Sequence, residues 1–485
     1  MLKISVNINK DSKETIYLQI YKNIKRQILN GNAKKGDKLP SIRQVAIKLD
    51  VNQNTVIQSY KMLEEKGYIK KISGKGCFVN SVSEFRVEEK EMPLIESFKY
   101  GQISDENIIN FYNGTPHPSC FPVEIYNNLV NEILKKYGGD IFQYQSIQGV
   151  DSLRELLAEE FEKEDIFIKK ESIQITSGTQ QALDIVIKLF SKDIRPTVAL
   201  SDPTYPNALN IFKGWCNTKT LDIKNDGWDM DEFEKLLKEE RIDFVYEIIN
   251  FQNPTGVTWS LEKRKKMLEL AEKYRFYIVE DDSFSDFYYD SEKPKTLKSL
   301  DKTGKERVIY IKTYSKILMP GIGLAAMIVP EKLIQNILLI KYGLDTTTSG
   351  LNQKILEKFI SRGYLEEHLY RLRSEFKEKQ KLCIDMLEEL PNLEIMYKPK
   401  GGFFIWIKLS ENIDGEKFYK KSKEKGVALL PGAVFYSDKR DVCKIRLSFI
   451  SPSLNEIRLG MEILKELLLA SVVEDSKTSC NQYDT

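Results

Sequence analysis

Residues 172–190 read SIQITSGTQQALDIVIKLF. A short β-prone run ends at Thr176, and an amphipathic helical pattern starts just after Gly178, so the stretch predicts a strand turning directly into a helix. Between them, Ser177-Gly178-Thr179-Gln180 forms a Gly-containing turn at a helix N-terminus. Such a turn presents unpaired backbone N–H groups and the positive end of the helix dipole, which suits a phosphate. A plain strand-to-helix turn would read the same way, so the rest of the chain has to decide. From about residue 109 to 470 apolar strands alternate with longer amphipathic helices, which predicts an α/β domain with a doubly wound, mostly parallel sheet.

Three more segments fall just beyond predicted strands, where an open α/β sheet places ligands. VALSDPTYPNA (198–208) puts Tyr205 on a Pro-bracketed turn, where its ring can stack on a flat partner or simply cover a core edge. FQNPTG (251–256) is followed, after a helix, by FYIVEDDSFSDF (276–287). Asp281 stands at the end of that strand, where burial would be costly unless it met a cation such as a protonated pyridine nitrogen. A solvated acidic turn is the plainer meaning of Glu-Asp-Asp. Finally VIYIK (308–312) leads to Thr313-Tyr314-Ser315-Lys316 and ILMPG. A lysine held at a strand end can lose its proton and attack an aldehyde to form a Schiff base.

The order of these segments resembles the fold-type I aminotransferases that use pyridoxal 5′-phosphate (PLP). The resemblance extends through FYNGTPHPSCFP (111–122), FQYQSIQG (142–149), PKGGFFIWIKL (399–409), GVALLPGAVFY (426–436) and IRLSF (445–449). It implies a smaller C-terminal α/β subdomain beside the large sheet. It also implies Lys316 as the catalytic Schiff-base lysine, Asp281 as partner of the pyridine nitrogen, Asn253 as partner of the ring hydroxyl and Tyr205 as the stacking residue. Ser177, Gly178, Thr179, Thr313 and Ser315 would hold the phosphate, and Arg446 would pair bidentately with an effector or substrate carboxylate. Two positions depart from the pattern. Gly323 in PGIGLAA stands where an arginine usually reaches the phosphate, and Ser283 stands where a tyrosine usually touches the ring hydroxyl. Loss of a charge-assisted contact worth roughly 1.5–3 kcal/mol would weaken cofactor binding by about one to two orders of magnitude.

Charge separates the N-terminus from this domain. Among 485 residues, 73 Lys+Arg oppose 71 Asp+Glu, yet residues 1–80 hold 16 against 6, a net +10, and the other 405 hold 57 against 65, a net −8. Clustered basic residues neutralise phosphates, which points to nucleic acid at that end, although Lys-rich faces are also often merely solvated. Three apolar stripes there have helical spacing: Ile16, Ile20, Ile24 and Ile28; Ile42, Val45, Ala46 and Leu49; Val56, Tyr60 and Leu63. Ser41 with Gln44 forms a capping box, Asn52 is a second N-cap, and only Asp50-Val51 separates the last two helices, as in a helix-turn-helix. YIKKISGKGCFVN (68–80) then reads as a hairpin around Ser73-Gly74-Lys75-Gly76. With the helix from Asn52 in a major groove, Gln53, Asn54, Thr55 and Gln58 would read bases, and Arg43, Lys61 and Lys75 would contact phosphates or base edges. A three-helix protein-interaction module is the plainer alternative. KLPSIRQVAIKLDVNQNTVIQSYKMLEEKGYI (38–69) with KGCFV (75–79) resembles the GntR-type winged helix.

The expected layout is a winged helix-turn-helix at 1–80, a linker at 81–108, the aminotransferase-like domain at 109–470 and a polar tail at 471–485. No stretch reaches the roughly 18 apolar residues of a membrane span and MLKISVNINKDSK lacks a secretory h-region, so a cytoplasmic protein is expected. Cys77, Cys120, Cys216, Cys383, Cys443 and Cys480 form no CxxC pair, and His117 and His368 are the two histidines, so no metal site or disulfide framework is expected. The combination resembles the MocR/GabR-type bacterial regulators. It implies a homodimer on double-stranded DNA with paired half-sites, sensing PLP or an amine or amino acid through a Lys316 Schiff base, without net turnover. Two other functions fit the same chain: a working PLP-dependent aminotransferase, and a DNA-binding regulator whose large domain no longer binds PLP.

Overall fold

The computed structural model describes residues 15–29, 36–72, 75–80 and 108–480, apart from short breaks at 192–194, 291, 303–305, 412, 414 and 439–442, together with Ile8 and Ala33. The chain divides into two compact units, Met1–Phe98 and Lys99–Thr485. The expected linker, except Ile108, and the wing-tip residues Ser73 and Gly74 lie outside the described residues.

In the first unit, α1 (Ile16–Leu29), α2 (Ile42–Leu49) and α3 (Gln53–Glu65) precede an antiparallel hairpin of β1 (Ile69–Ile72) and β2 (Gly76–Val79). Ser41 accepts from the Gln44 amide, and Gln44 Oε1 accepts from the Ser41 amide at 2.9 Å, so two N–H groups at the start of α2 are satisfied locally. Asp50 closes α2 in the left-handed region (φ 51°) and Asn52 caps α3. The turn is therefore as short as the spacing predicts. Ile20, Ile24, Ile28, Val45, Ala46, Val56, Tyr60 and Leu63 share one buried cluster. Tyr60 also donates its hydroxyl to the Pro40 carbonyl at 2.8 Å, tying α3 to the segment before α2.

The second unit is built on an eight-stranded sheet. Its strands are β4 (Ile173–Thr176), β5 (Thr197–Asp202), β6 (Asn217–Lys224), β7 (Gly227–Trp228), β8 (Phe244–Glu247), β9 (Tyr277–Asp282), β10 (Val308–Thr313) and β11 (Ala325–Ile328), in the order β4-β11-β10-β9-β8-β5-β6-β7. From β10 through β9, β8 and β5 to β6 all pairings are parallel, while β11 and β7 pair antiparallel with their neighbours. Every residue of β4, β8 and β10 is buried, as a sheet covered on both faces requires; β8 and β10 accordingly read as largely apolar runs, while β4 alternates Ile173 and Ile175 with Gln174 and Thr176. A second sheet, all antiparallel, orders β12 (Leu393–Tyr397), β13 (Phe404–Leu409), β16 (Lys444–Ser448) and β15 (Leu430–Pro431). The short β3 (Ile109–Asn110) and β14 (Val427–Ala428) pair in parallel, joining the start of the unit to its end. The last helix, Leu454–Cys480, continues ten residues into the stretch expected as tail.

Candidate functional site

Strand pleating sorts the three acidic residues of β9. Alternate residues face opposite sides of a sheet, so Glu280 and Asp282 share one face and Asp281 the other. Their partners agree. Glu280 accepts from the Leu297 and Lys298 amides at 2.7 and 2.9 Å, and Asp282 accepts from the Ser285 and Tyr310 hydroxyls. Asp281 instead accepts from Tyr246 Oη at 2.9 Å and Ser283 Oγ at 2.7 Å. It is 2% exposed, and no ion pair forms on it among the described residues. Burial raises its pKa to about 6, against the two hydroxyl donors, which favour the charged form.

Two nearby lysines on the β10 segment have opposite fates. Lys312 is buried between Glu164 at 3.2 Å and Asp286 at 3.0 Å; these carboxylates hold it protonated, well above its ordinary value, despite burial. Lys316, four residues on, meets a neutral partner: its Nζ donates to the Gly114 carbonyl at 2.8 Å. Burial, reinforced by the positive charge of Arg446 and opposed by Asp281, lowers its pKa to about 8. His368 Nε2 lies 2.9 Å from the Ile317 carbonyl, next to Lys316 in the chain. Burial lowers the His368 pKa to about 4, so the ring is neutral and Nε2 donates.

Arg446, in the middle of β16, is 6% exposed. Its Nη1 donates to Asn253 Oδ1 at 3.0 Å and its Nη2 to the Tyr112 carbonyl at 2.6 Å. The guanidinium lies 4.2 Å from the Phe404 ring centroid and 5.2 Å from that of Phe435. Its Nε has no hydrogen-bond partner, and no carboxylate pairs with it among the described residues. A buried cation with an unsatisfied donor carries a free-energy cost that an incoming carboxylate would relieve. Tyr205 stands at the start of the helix Pro206–Trp215, its hydroxyl accepting from Asn207 Nδ2 at 3.0 Å and Gln180 Nε2 at 3.3 Å. Burial, then the charge of Asp281, raises its pKa to about 12.

The turn quoted first lies at the same end of the sheet. Ala325 is the register partner of both Thr176 and Thr313, which brings Ser177 and Ser315 to the ends of the two strands that flank β11. The helix Thr179–Phe190 starts without a side-chain cap, and Gly178 (φ +85°) has nothing within 4 Å of where a Cβ would stand. Thr313 Oγ1 accepts from the Ser315 amide at 3.4 Å. Ser177, implied as a phosphate contact, donates its Oγ to Asp345 Oδ2 at 3.2 Å. Gly323 adopts a left-handed φ of 55°, with open space where a side chain would begin.

The structure thus brings Lys316, Asp281, Ser283, Tyr205, Asn253 and Arg446 around one region, with Ser177, Gly178, Thr179, Thr313 and Ser315 at the strand ends beside it. Tyr246 and Asp345 join them without any sequence signal, and so do the carbonyls of Tyr112 and Gly114, which lie in the quoted 111–122 stretch with no role of their own expected there. Tyr246 sits within an apolar strand, and the other three act through carbonyls or from distant segments. PLP fits this donor set at its ring end: a buried Asp281 carboxylate, with no ion pair among the described residues, for a protonated ring nitrogen, and a weakly basic Lys316 amine, with the unsatisfied Arg446 Nε beside them for a carboxylate. At its phosphate end the uncapped helix fits, and Asp345 is an additional feature.

On the first unit, Gln53, Asn54 and Gln58 of α3 are exposed, as are Arg43, Lys61 and Lys75, while Thr55 is half-buried. The α3 face opposite the buried Val56, Tyr60 and Leu63 therefore presents amide side chains, suited to hydrogen bonding along base edges. Among the described residues no His, Cys, Asp or Glu group is placed to hold a metal ion, and no helix is long and apolar enough to cross a membrane.

Comparison with known proteins matches residues 121–459 to the class I and II aminotransferases and residues 16–79 to the gntR family of bacterial regulatory proteins. The chain is 35% identical to aromatic-amino-acid aminotransferase 1 of Thermococcus litoralis, over 80% of this chain and 93% of that one. It is 28% identical to the HTH-type transcriptional regulator YdfD of Bacillus subtilis, over 92% of this chain and 94% of that one. Among solved structures, the α-aminoadipate aminotransferase LysN of Thermus thermophilus, complexed with N-(5′-phosphopyridoxyl)-L-leucine, superposes with a TM-score of 0.73. It is 29% identical, over 81% of this chain and all of that one.

Proposed function

The chain belongs to the class I and II aminotransferases over its large unit and carries a gntR-family module ahead of it, and from this we propose a PLP-dependent transcriptional regulator that senses an amino compound. The observation that carries the reading is Lys316: an amine drawn down to about 8 under the opposing charges of Asp281 and Arg446, in the same chain as the exposed helix Gln53–Glu65 of a gntR-family module.

Bound in the site, PLP supplies an electrophilic aldehyde and an electron-accepting ring. Asp281, held by Tyr246 and Ser283, would keep a proton on the ring nitrogen. Lys316 would supply the neutral amine that attacks the aldehyde, and the Gly114 carbonyl orients that amine until then. Tyr205 would lie against the ring face and Asn253 at its hydroxyl. Arg446 would take the carboxylate of an amino acid effector, using the Nε that has no partner among the described residues. In the first unit, Gln53, Asn54, Thr55 and Gln58 would read bases while Arg43, Lys61 and Lys75 contact phosphates. We further propose that the protein works in the cytoplasm as a homodimer, so that two modules meet paired half-sites, because a two-fold protein reads a two-fold operator.

Titration of the purified protein with PLP, followed by amino acids and amines, tests this by absorbance. A new band that disappears in Lys316→Ala and shifts with one class of amine is the expected result. A protein that ignores PLP would overturn the reading, and repeated turnover of an amino donor and keto acceptor would make it an aminotransferase instead.

A further inference from the structure

At both ends of the cofactor site side chains are already hydrogen-bonded within the chain, and at the phosphate end an acidic side chain is one of the partners. Ser177 Oγ donates to Asp345 Oδ2 at 3.2 Å, the Ser177 amide donates to Gln181 Oε1 at 2.7 Å, and Gln181 Nε2 donates to the same Asp345 oxygen at 3.4 Å. Asp345 is half-buried and follows the helix Ile334–Leu344, its amide closing onto the Lys341 carbonyl at 2.8 Å. No ion pair forms on it among the described residues: Lys341 Nζ, whose charge Asp345 favours, donates to the Ile147 and Ile175 carbonyls instead. Gly323 lies two residues before Ala325, the register partner of Thr176, and it offers no charge.

We propose that Asp345 is a displaceable gate on the phosphate cradle, holding the Ser177 hydroxyl and giving it up when a phosphate enters. The proposal rests on the reading of this site as a PLP site. Ser177 cannot donate its one proton to both acceptors, and two anions sharing one hydroxyl repel each other at short range. Asp345 is also the attachment of a longer segment. The Thr347 amide donates to Asp345 Oδ1 at 3.1 Å, Thr347 Oγ1 accepts from the Gln145 amide at 3.0 Å, and Thr348 Oγ1 donates to the Ile175 carbonyl at 3.3 Å. Displacing Asp345 therefore loads the 145–149 stretch, beside which Phe142 and Tyr144 stand exposed. Cofactor occupancy would thereby be felt beyond the pocket, a property a sensor needs and a constitutively loaded enzyme does not.

The test compares PLP with pyridoxal, which lacks the phosphate, on the full-length wild type, Asp345→Asn, Asp345→Ala, Ser177→Ala and the double variant Ser177→Ala with Asp345→Asn, with dissociation constants read from absorbance and tryptophan fluorescence. Removing the like charge is expected to tighten PLP by on the order of ten-fold in both Asp345 variants, leave pyridoxal unchanged, and have little effect once Ser177 is already Ala. Equal PLP affinity in wild type and the Asp345 variants would overturn the gate while leaving the cofactor assignment intact. Weaker PLP binding, or equal tightening of PLP and pyridoxal, would overturn it as well. Failure of every variant and the wild type to bind either compound would remove the underlying site reading, and the gate with it. Thermal melting of each variant separates a folding defect in one substitution from the binding result in the other.

Discussion

Arg446 Nη1 donates to Asn253 Oδ1 at 3.0 Å, fastening a guanidinium of the small sheet to the loop that follows β8 of the large one. The residue proposed to hold the effector carboxylate and the residue proposed to meet the cofactor ring are thus in direct contact, 193 positions apart in the chain. A ligand that engages one acts on the other.

That contact makes Arg446 a selective target. Arg446→Lys keeps a charge but loses the planar fork and the unpaired Nε, so amino acid affinity is expected to fall by about 2–4 kcal/mol, thirty-fold or more. PLP binding should change by no more than a few-fold. Sequential absorbance titrations with PLP and then with the effector measure both.

Lys316 should react with the cofactor at a pH where ordinary lysines do not. With its pKa lowered to about 8, roughly a quarter of the amine is neutral at pH 7.5, against about a thousandth for an unperturbed lysine. The rate of PLP attachment, followed by stopped-flow absorbance, is expected to rise with pH and level off above about 8. A rise that continues toward pH 10 would show that the site does not depress the amine.

Glu247 provides a stability test away from the site. It is fully buried at the end of β8, accepting from Ser201 Oγ and from its neighbouring Ile248 amide at 3.0 Å, and burial raises its pKa to about 8. The folded state therefore holds a proton that the unfolded chain releases. Stability is highest below the ordinary carboxylate range and declines as pH rises toward about 8. Glu247→Gln, neutral throughout, is expected to flatten this dependence in chemical denaturation measured at pH 5 and pH 8.

On the DNA side, the two residue classes should separate by salt. Gln53→Ala or Asn54→Ala is expected to cost about 1–3 kcal/mol on the preferred operator and little on unrelated DNA. Lys61→Ala or Lys75→Ala should weaken binding to all sequences and reduce the salt slope by about one. Fluorescence anisotropy across a salt series distinguishes these outcomes. A wild-type slope near zero would contradict a phosphate-contacting module.

Much of the fold could be read from short-range pattern. The caps Ser41 and Asn52 mark helix starts because their side chains satisfy amides two or three residues away. The strands β8 and β10 announce themselves as largely apolar because both their faces are covered. The order of the turns at 177–179, 205, 253, 281 and 316 is likewise a property of the chain, since each lies beyond a strand whose neighbours the α/β pattern brings together. The wing tip at Ser73-Gly74 and the linker carry sequence readings outside the described residues.

What the amino-acid order could not contain is the electrostatic condition of those residues. Lys312 and Lys316 look alike in one dimension, yet one is held charged by Glu164 and Asp286 and the other is drawn toward neutrality beside Arg446. Tyr246 on Asp281, Arg446 on Asn253 and Asp345 on Ser177 are contacts across 35, 193 and 168 positions. The order of residues along the chain determined which groups arrive at the end of the sheet. Tertiary packing decided which of them are charged and which are already engaged, because both depend on burial and on neighbours that only folding brings within a few ångströms.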